Sequence, residues 1–198
     1  MDKLSIFGIT EVELPSNSDN ELKIAKAEEY KQYIDNHIKN IIKSYNNLIS
    51  NNWINNPYNR DIKKELAALR TKIINHDASK YSDEEFDAFR AYLYPINDEE
   101  KENALEDFEI AKKHHYKVND HHPEHWIDEN GIPQDMPLIC ILELICDWDA
   151  MGHNITKGYS SSVVDFWNKT KDTRWKSIMT NNTIDTINRL IKLIYYKE

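Results

Sequence analysis

The sequence is short of the residues that interrupt helices. Four glycines and six prolines in 198 residues are too few to punctuate a turn-rich β fold. Cysteine is scarce as well. Cys140 and Cys146 share one apolar segment, and at that spacing they face different directions on a helix, which excludes a local disulfide or a zinc pair between them. Two reduced cysteines suit a cytoplasmic protein. No stretch reaches eighteen consecutive apolar residues, and Met1–Glu11 lacks a signal-peptide pattern, so no membrane partner is expected. Positive charge is also in deficit: 25 Lys and Arg stand against 34 Asp and Glu, a formal net charge of −9. That balance argues against a duplex nucleic-acid partner held by its phosphates.

What remains is rich in Lys, Glu, Asn and Ile, with 40% apolar and 30% charged residues. The length suits one domain with a full core, and the composition suits helices. Residues 1–19 alternate weakly and read as an N-terminal arm; residues 20–198 read as a single all-α domain of about six to eight helices. From Asn20 to Asn51, Tyr30, Ile34, His37, Ile41, Tyr45 and Leu48 recur at three- and four-residue steps. Asn51–Asn59 reads as a loop. A second helix is expected from Arg60 to Ala78, with Leu66, Leu69, Ile73 and His76 on one stripe.

Ser82 with Glu85 has the form of a capping box opening a short helix that Pro95 ends. Asn97 with Glu100 opens another, expected to run to Val118. Asn119–Met136 is irregular. Pro137–Met151 is apolar on nearly every face and should be a buried central helix, with Gly152 as its cap. Two more helices are expected near Ser161–Lys169 and Thr183–Lys197.

The chemistry gathers in the histidines. Five of the eight, His114, His115, His121, His122 and His125, fall within twelve residues. His37 and His76 occupy core-facing helical positions, and Asp77 follows His76 directly. Asp147 sits in a helix with almost no polar face, and Glu143 precedes it by one turn. Burying an uncompensated carboxylate costs several kcal/mol or forces it to neutralise. A divalent cation supplies the missing charge. Taken singly, each feature also fits a plainer role: a satisfied core histidine at position 37, a helix-end His-Asp pair at 76–77, a buried ion pair at Asp147, or a solvated polar loop for the cluster. Together they point to a metal site.

The order His37, His76-Asp77, clustered histidines, Asp147 resembles the HD superfamily of metal-dependent phosphohydrolases. His76-Asp-Ala-Ser-Lys80 is similar to the family's His-Asp-x-Gly-Lys, with Ser79 in place of glycine. The segment from Met136-Pro-Leu to Asp147-Trp-Asp-Ala resembles the Ile-Pro-Leu … Asp-x-Asp-Ala segment of the HD-GYP branch. His121-His122-Pro-Glu124 resembles that branch's His-His-Glu run, with Pro123 inserted. The Gly-Tyr-Pro signature is absent, which argues against cyclic di-GMP hydrolysis. The stretch from Ala111 to His122, with Cys146-Asp-Trp-Asp-Ala-Met-Gly152, also resembles an uncharacterised HD-like family of bacteria and their phages.

This resemblance implies an HD-like helical bundle around one or two divalent ions, of Mn, Fe, Co, Ni or Zn type. His37, His76, Asp77 and Asp147 would hold the first ion. His115, His121 and His122 would serve a second ion or the substrate. Adjacent helical residues diverge by about 100°, so His114 and His115 do not both bind one ion, and His115 is preferred. The short separation of His115 from His121 departs from the HD-GYP spacing and puts the second ion in question. Lys80 and Glu143 are candidate catalytic residues, the first neutralising a phosphate oxygen, the second acting as base or as orienter of a ligand. His114, Asn119 and His125, with Lys80, are candidates for substrate binding. The implied function is hydrolysis of a nucleotide or other small-molecule phosphate ester. Two rivals stay open: a diiron oxygenase on the same scaffold, and a non-catalytic nucleotide-binding module in which Trp126, Trp148 or Trp167 stacks on a base. Core packing is the competing role for each of these tryptophans.

Overall fold

The central helix organises the rest. In a computed structural model, which describes residues 17–50, 60–152 and 162–196, the apolar segment forms α6, Leu138–Gly152. Nine of its fifteen residues are buried, Glu143 among them. Around it pack α1 (Asn17–Ser50), α2 (Arg60–Ile74), α7 (Val163–Thr170) and α8 (Asn181–Tyr195). Three shorter helices cover the α1 side: α3 (Phe86–Leu93), α4 (Asp98–Asn103) and α5 (Leu105–Val118). The all-α fold follows, with eight α-helices and no strand among the described residues. None of these helices is long and apolar enough to cross a membrane.

The stripe on α1 is buried as its period requires. Tyr30, Ile34, His37, Ile41, Tyr45 and Leu48 all lose nearly all contact with solvent. It joins two cores. Ile41, Tyr45 and Leu48 enter the large cluster around α6, while Tyr30 and Ile34 meet Phe89 and Ala111 in a smaller one. His37 stands on α1 between them.

Boundaries differ from the expected ones where a side chain is needed elsewhere. Helix α1 begins at Asn17, inside the expected arm, with Asp19 in its first turn to complement the helix dipole. The rest of the arm, the Asn51–Asn59 loop and the linker after Gly152 lie outside the described residues. Helix α2 ends at Ile74 rather than Ala78. There the amides of Asn75 and His76 turn to carbonyls three residues back, and Asp77 takes a left-handed backbone (φ 54°) before a single 3-10 turn, Ala78–Tyr81.

Ser82 and Glu85 do not form a capping box. Glu85 is itself the N-cap of α3, without a side-chain cap, and its carboxylate turns inward. Asn97 does cap its helix, accepting from the Glu100 amide, but the expected single helix to Val118 is broken at the buried Ala104 into α4 and α5. Ser162 and Thr180 cap α7 and α8, and the unforeseen 3-10 turn Trp175–Ser177 lies between those helices.

Candidate metal centre

Four elements bring the site together. Helix α1 contributes His37, the turn after α2 contributes His76 and Asp77, and α6 contributes Asp147. The end of α5 and the turn beyond it contribute His115, His121 and His122. Asp77 is at the middle. Its left-handed backbone lets two consecutive side chains, His76 and Asp77, both turn inward, which a continuing helix would prevent.

The Asp77 carboxylate faces a different set of ring nitrogens with each oxygen. Its Oδ2 is 3.4 Å from His76 Nε2 and 3.8 Å from His37 Nε2. Asp147 Oδ1 completes that side, 3.1 Å from His37 Nε2 and 3.9 Å from His76 Nε2. Asp77 Oδ1 is 3.3 Å from His115 Nε2 and 3.6 Å from His121 Nε2, and His122 joins this second group. The ligand atoms lie within 4.8 Å of one another among His37, His76 and Asp147, among Asp77, His115, His121 and His122, and in a third set, His76, His121 and Glu143.

The donor set fits a metal ion by a test internal to the chain. His76 Nε2, Asp77 Oδ1, His121 Nε2 and His122 Nε2 are buried and have no hydrogen-bond partner. Buried polar atoms are ordinarily paired, and these four orphans are atoms that a bound cation would satisfy. The buried His/Asp groups can therefore hold a divalent ion.

A glutamate stands behind each half, and Glu143 reaches both, its Oε1 also lying 3.6 Å from His121 Nδ1. Glu143 Oε1 lies 3.0 Å from His76 Nδ1, and Glu85 Oε2 lies 2.9 Å from His115 Nδ1. A carboxylate accepts, so each ring nitrogen facing it donates, and with an ion bound the Nε2 of each ring would be the nitrogen left to face that ion. Glu143 Oε2 is itself 3.1 Å from Lys72 Nζ, which also contacts Asp120. Glu85 spans a second histidine, accepting from His114 Nδ1 at 2.9 Å. Asn119 donates to Ser79 Oγ at 2.7 Å and to the His115 carbonyl, so Ser79 helps brace α5.

The electrostatics suit metal ligands. Burial opposes ionisation of Asp77, but the charges on His76 and Lys80 win and hold it well below the usual carboxylate range. Asp147 is likewise lowered against burial, chiefly by His37. Burial, reinforced by His76, keeps the His121 imidazole neutral, and burial with His115 brings His122 down to about 4. His76 goes the other way. Burial opposes its charge, yet the attraction of Asp77 raises it to about 10, so its ring carries a proton at neutral pH. His115 is raised too, against burial, by Asp77 and Glu85.

In front of the centre is a cavity of about 430 Å³. His37, Asp77, His115, His122 and Asp147 line its inner end, and Lys80 reaches into it while donating to Asp77 Oδ2 at 2.6 Å. Trp148, Phe166 and Trp175 form an aromatic wall. Not every expected residue is placed there. Glu143 backs His76 and lines a smaller polar recess of about 290 Å³ with Asn119 and Lys72, so it orients a ligand and does not face the cavity. His114 is turned to Glu85. His125 is exposed, with its Nδ1 donating to the Lys117 carbonyl at 2.7 Å. Neither His114, Asn119 nor His125 lines the cavity.

Of the three tryptophans weighed between base stacking and core packing, Trp148 and Trp167 are buried in the main core, and Trp148 alone of the three also lines the cavity. Trp126 donates to the Asp120 carbonyl and Trp167 to Asn188. Glu85, Lys72, Arg174 and Trp175 were not legible as site residues. The adjacent His114-His115 pair was a usable signal for Glu85. Two imidazoles diverging on one helix can share the two oxygens of a single carboxylate even though they cannot share an ion.

The chain belongs to a family of unknown function (DUF5662), whose profile matches residues 26–193. Comparison with curated proteins and with solved structures found no match.

Proposed function

We propose that the chain is an HD-type metal-dependent phosphohydrolase that holds two divalent ions on either side of Asp77 and cleaves a small phosphate ester. The observation that carries this reading is the Asp77 carboxylate, which turns one oxygen toward His37 and His76, beside Asp147, and the other toward His115, His121 and His122, at the inner end of an open cavity. Mixed imidazole and carboxylate ligands suit Mn, Fe, Co, Ni or Zn.

A divalent ion in such a site supplies Lewis acidity, lowering the pKa of a water it binds and polarising a phosphoryl oxygen. The protein's own groups do the rest. Glu143 and Glu85 fix the tautomers of His76 and His115. Lys80 brings a positive charge to the cavity beside Asp77, where it can pair with a phosphate oxygen. In a chain of net charge −9, this local positive charge is what an anionic substrate requires.

Elemental analysis of anaerobically purified protein, followed by a phosphoester screen with several divalent ions, tests the reading. Bound metal and phosphate release are expected, both lost in Asp77→Ala. Full metal occupancy in that variant would overturn the site. Oxygen uptake without phosphate release would favour oxygenase chemistry, and ligand binding without turnover a binding module. Either result removes the hydrolase reading.

A further inference from the structure

Beyond the metal ligands, the cavity changes character. Its walls are Tyr116, Leu144, Trp148, Met151, Phe166 and Trp175. Trp148 lies 5.2 Å from both Phe166 and Trp175, ring centre to ring centre, so the wall is a continuous aromatic surface. Arg174 lays its guanidinium on Trp175 at 4.3 Å and is more than half exposed, placing a flat cationic face at the solvent side of the cavity.

Charge is distributed as unevenly as shape. Among the described residues, Lys80 and Arg174 are the lysine and arginine side chains that line the cavity. Lys80 is at the metal end, paired with Asp77. Arg174 has Glu124 at 4.0 Å, so its charge at the far end is partly offset. A chain of phosphates extending from the metal end would leave its outer charges facing aromatic rings and a partly neutralised arginine. Desolvating such charge without partners is unfavourable. A flat apolar group placed there instead lies against the aromatic wall, beside the guanidinium that caps Trp175.

We propose that this cavity selects a phosphomonoester with a single phosphoryl group and a flat aromatic body, and that Arg174 and Trp175 form the specificity-determining wall. The proposal rests on the phosphoester reading for the location of the phosphoryl group, and it adds the class of organic group attached to it.

Calorimetric binding to the metal-loaded full chain tests it without turnover, using naphthylmethylphosphonate and methylphosphonate as non-hydrolysable probes. The aromatic probe is expected to bind at least about tenfold more tightly, the scale of one lost aromatic stacking partner. Arg174 is exposed, so Arg174→Ala should fold normally. It is expected to weaken the aromatic probe several-fold and leave methylphosphonate unchanged, and Arg174→Lys, which keeps charge but not the plane, should restore little. At saturating free divalent ion, AMP is expected to displace the aromatic probe at lower concentration than ATP.

Equal affinity for the two phosphonates, an equal loss for both in Arg174→Ala, full rescue by lysine, or ATP matching AMP would each overturn the assignment. The two readings fail separately. Aromatic preference in binding with no phosphate released from 1-naphthyl phosphate keeps this inference and removes hydrolysis. Release with no aromatic preference does the reverse.

Discussion

The two halves of the centre are built alike but written differently in the chain. On one side His37 and Asp147 project from long helices, with His76 just past the end of a third, and Glu143 stands behind. On the other, His115 is in the last turn of α5 while His121 and His122 sit on the irregular segment beyond it, with Glu85 behind. Both halves bury their histidines against a carboxylate, and both meet at Asp77. The first is held by helix packing around α6. The second is held by a web of short contacts: Glu85 to two histidines, and Asn119 to Ser79 and the His115 carbonyl. The comparison teaches that equivalent ligand geometry can be fixed either by rigid elements or by a hydrogen-bonded turn, and that the second route depends on more individual side chains.

The sharpest way to break this symmetry is at its shared atom pair. Asp77→Asn should remove nearly all bound metal, because both halves lose an anionic ligand, whereas Asp147→Asn should cost only the ion on its own side. Elemental analysis of both variants checks this. One full equivalent retained in Asp77→Asn would show that the halves do not depend on each other.

Next in size are the backing carboxylates. Glu85→Gln and Glu143→Gln should each weaken metal binding about 10–100-fold. Competition with a chelator should show the Glu85→Gln loss confined to one of two equivalents, while Glu143→Gln, whose Oε1 faces both His76 and His121, should weaken both. A Glu143→Gln loss confined to one equivalent would show that the His121 contact does not matter to the second ion.

The dependence on pH follows from the protons the metal replaces. Without an ion, His76 stays protonated up to about 10 and His115 is also raised, so binding an ion at neutral pH must expel protons. Affinity should therefore rise with pH through neutrality, and calorimetry in buffers of different ionisation enthalpy should report net proton release. Stability of the metal-free chain should move oppositely. A histidine whose pKa is raised on folding stabilises the fold fully below its unfolded value near 6.5, and that contribution disappears as pH climbs toward about 10. Thermal melts of chelated protein across that range test the sign.

The smallest effect is expected outside both halves. His125→Ala should change neither metal content nor, by more than about 0.5 kcal/mol, stability, since its side chain is exposed and bonded only to a neighbouring carbonyl. A loss of metal there would extend the centre beyond the ligands named.

The same contrast explains what was legible in the sequence. Helical period exposed His37 as core-facing, and the lack of a polar face around Asp147 made its burial predictable. His121 and His122 were visible only as composition, because no period governs a turn. Glu85 was read as a capping residue because its spacing from Ser82 satisfies that local rule. The tertiary demand of two histidines overrode it, leaving α3 without a side-chain cap. Glu143 was visible as a buried acid, but its direction depends on Lys72, which approaches from α2. Arg174 and Trp175 lie in a 3-10 turn region that carries no periodic signal.

The backbone at Asp77 has a further consequence for anyone wishing to reuse this scaffold. A left-handed residue is a mild burden for aspartate or asparagine, a larger one for alanine, and none for glycine. The metal-free fold should thus tolerate Asp77→Gly better than Asp77→Ala, although both delete the ligand. Glycine at position 77 would relieve the backbone, but either substitution also takes from Lys80 and His76 the buried carboxylate that balances their charge, so the same residue that shapes the turn also holds the cup together.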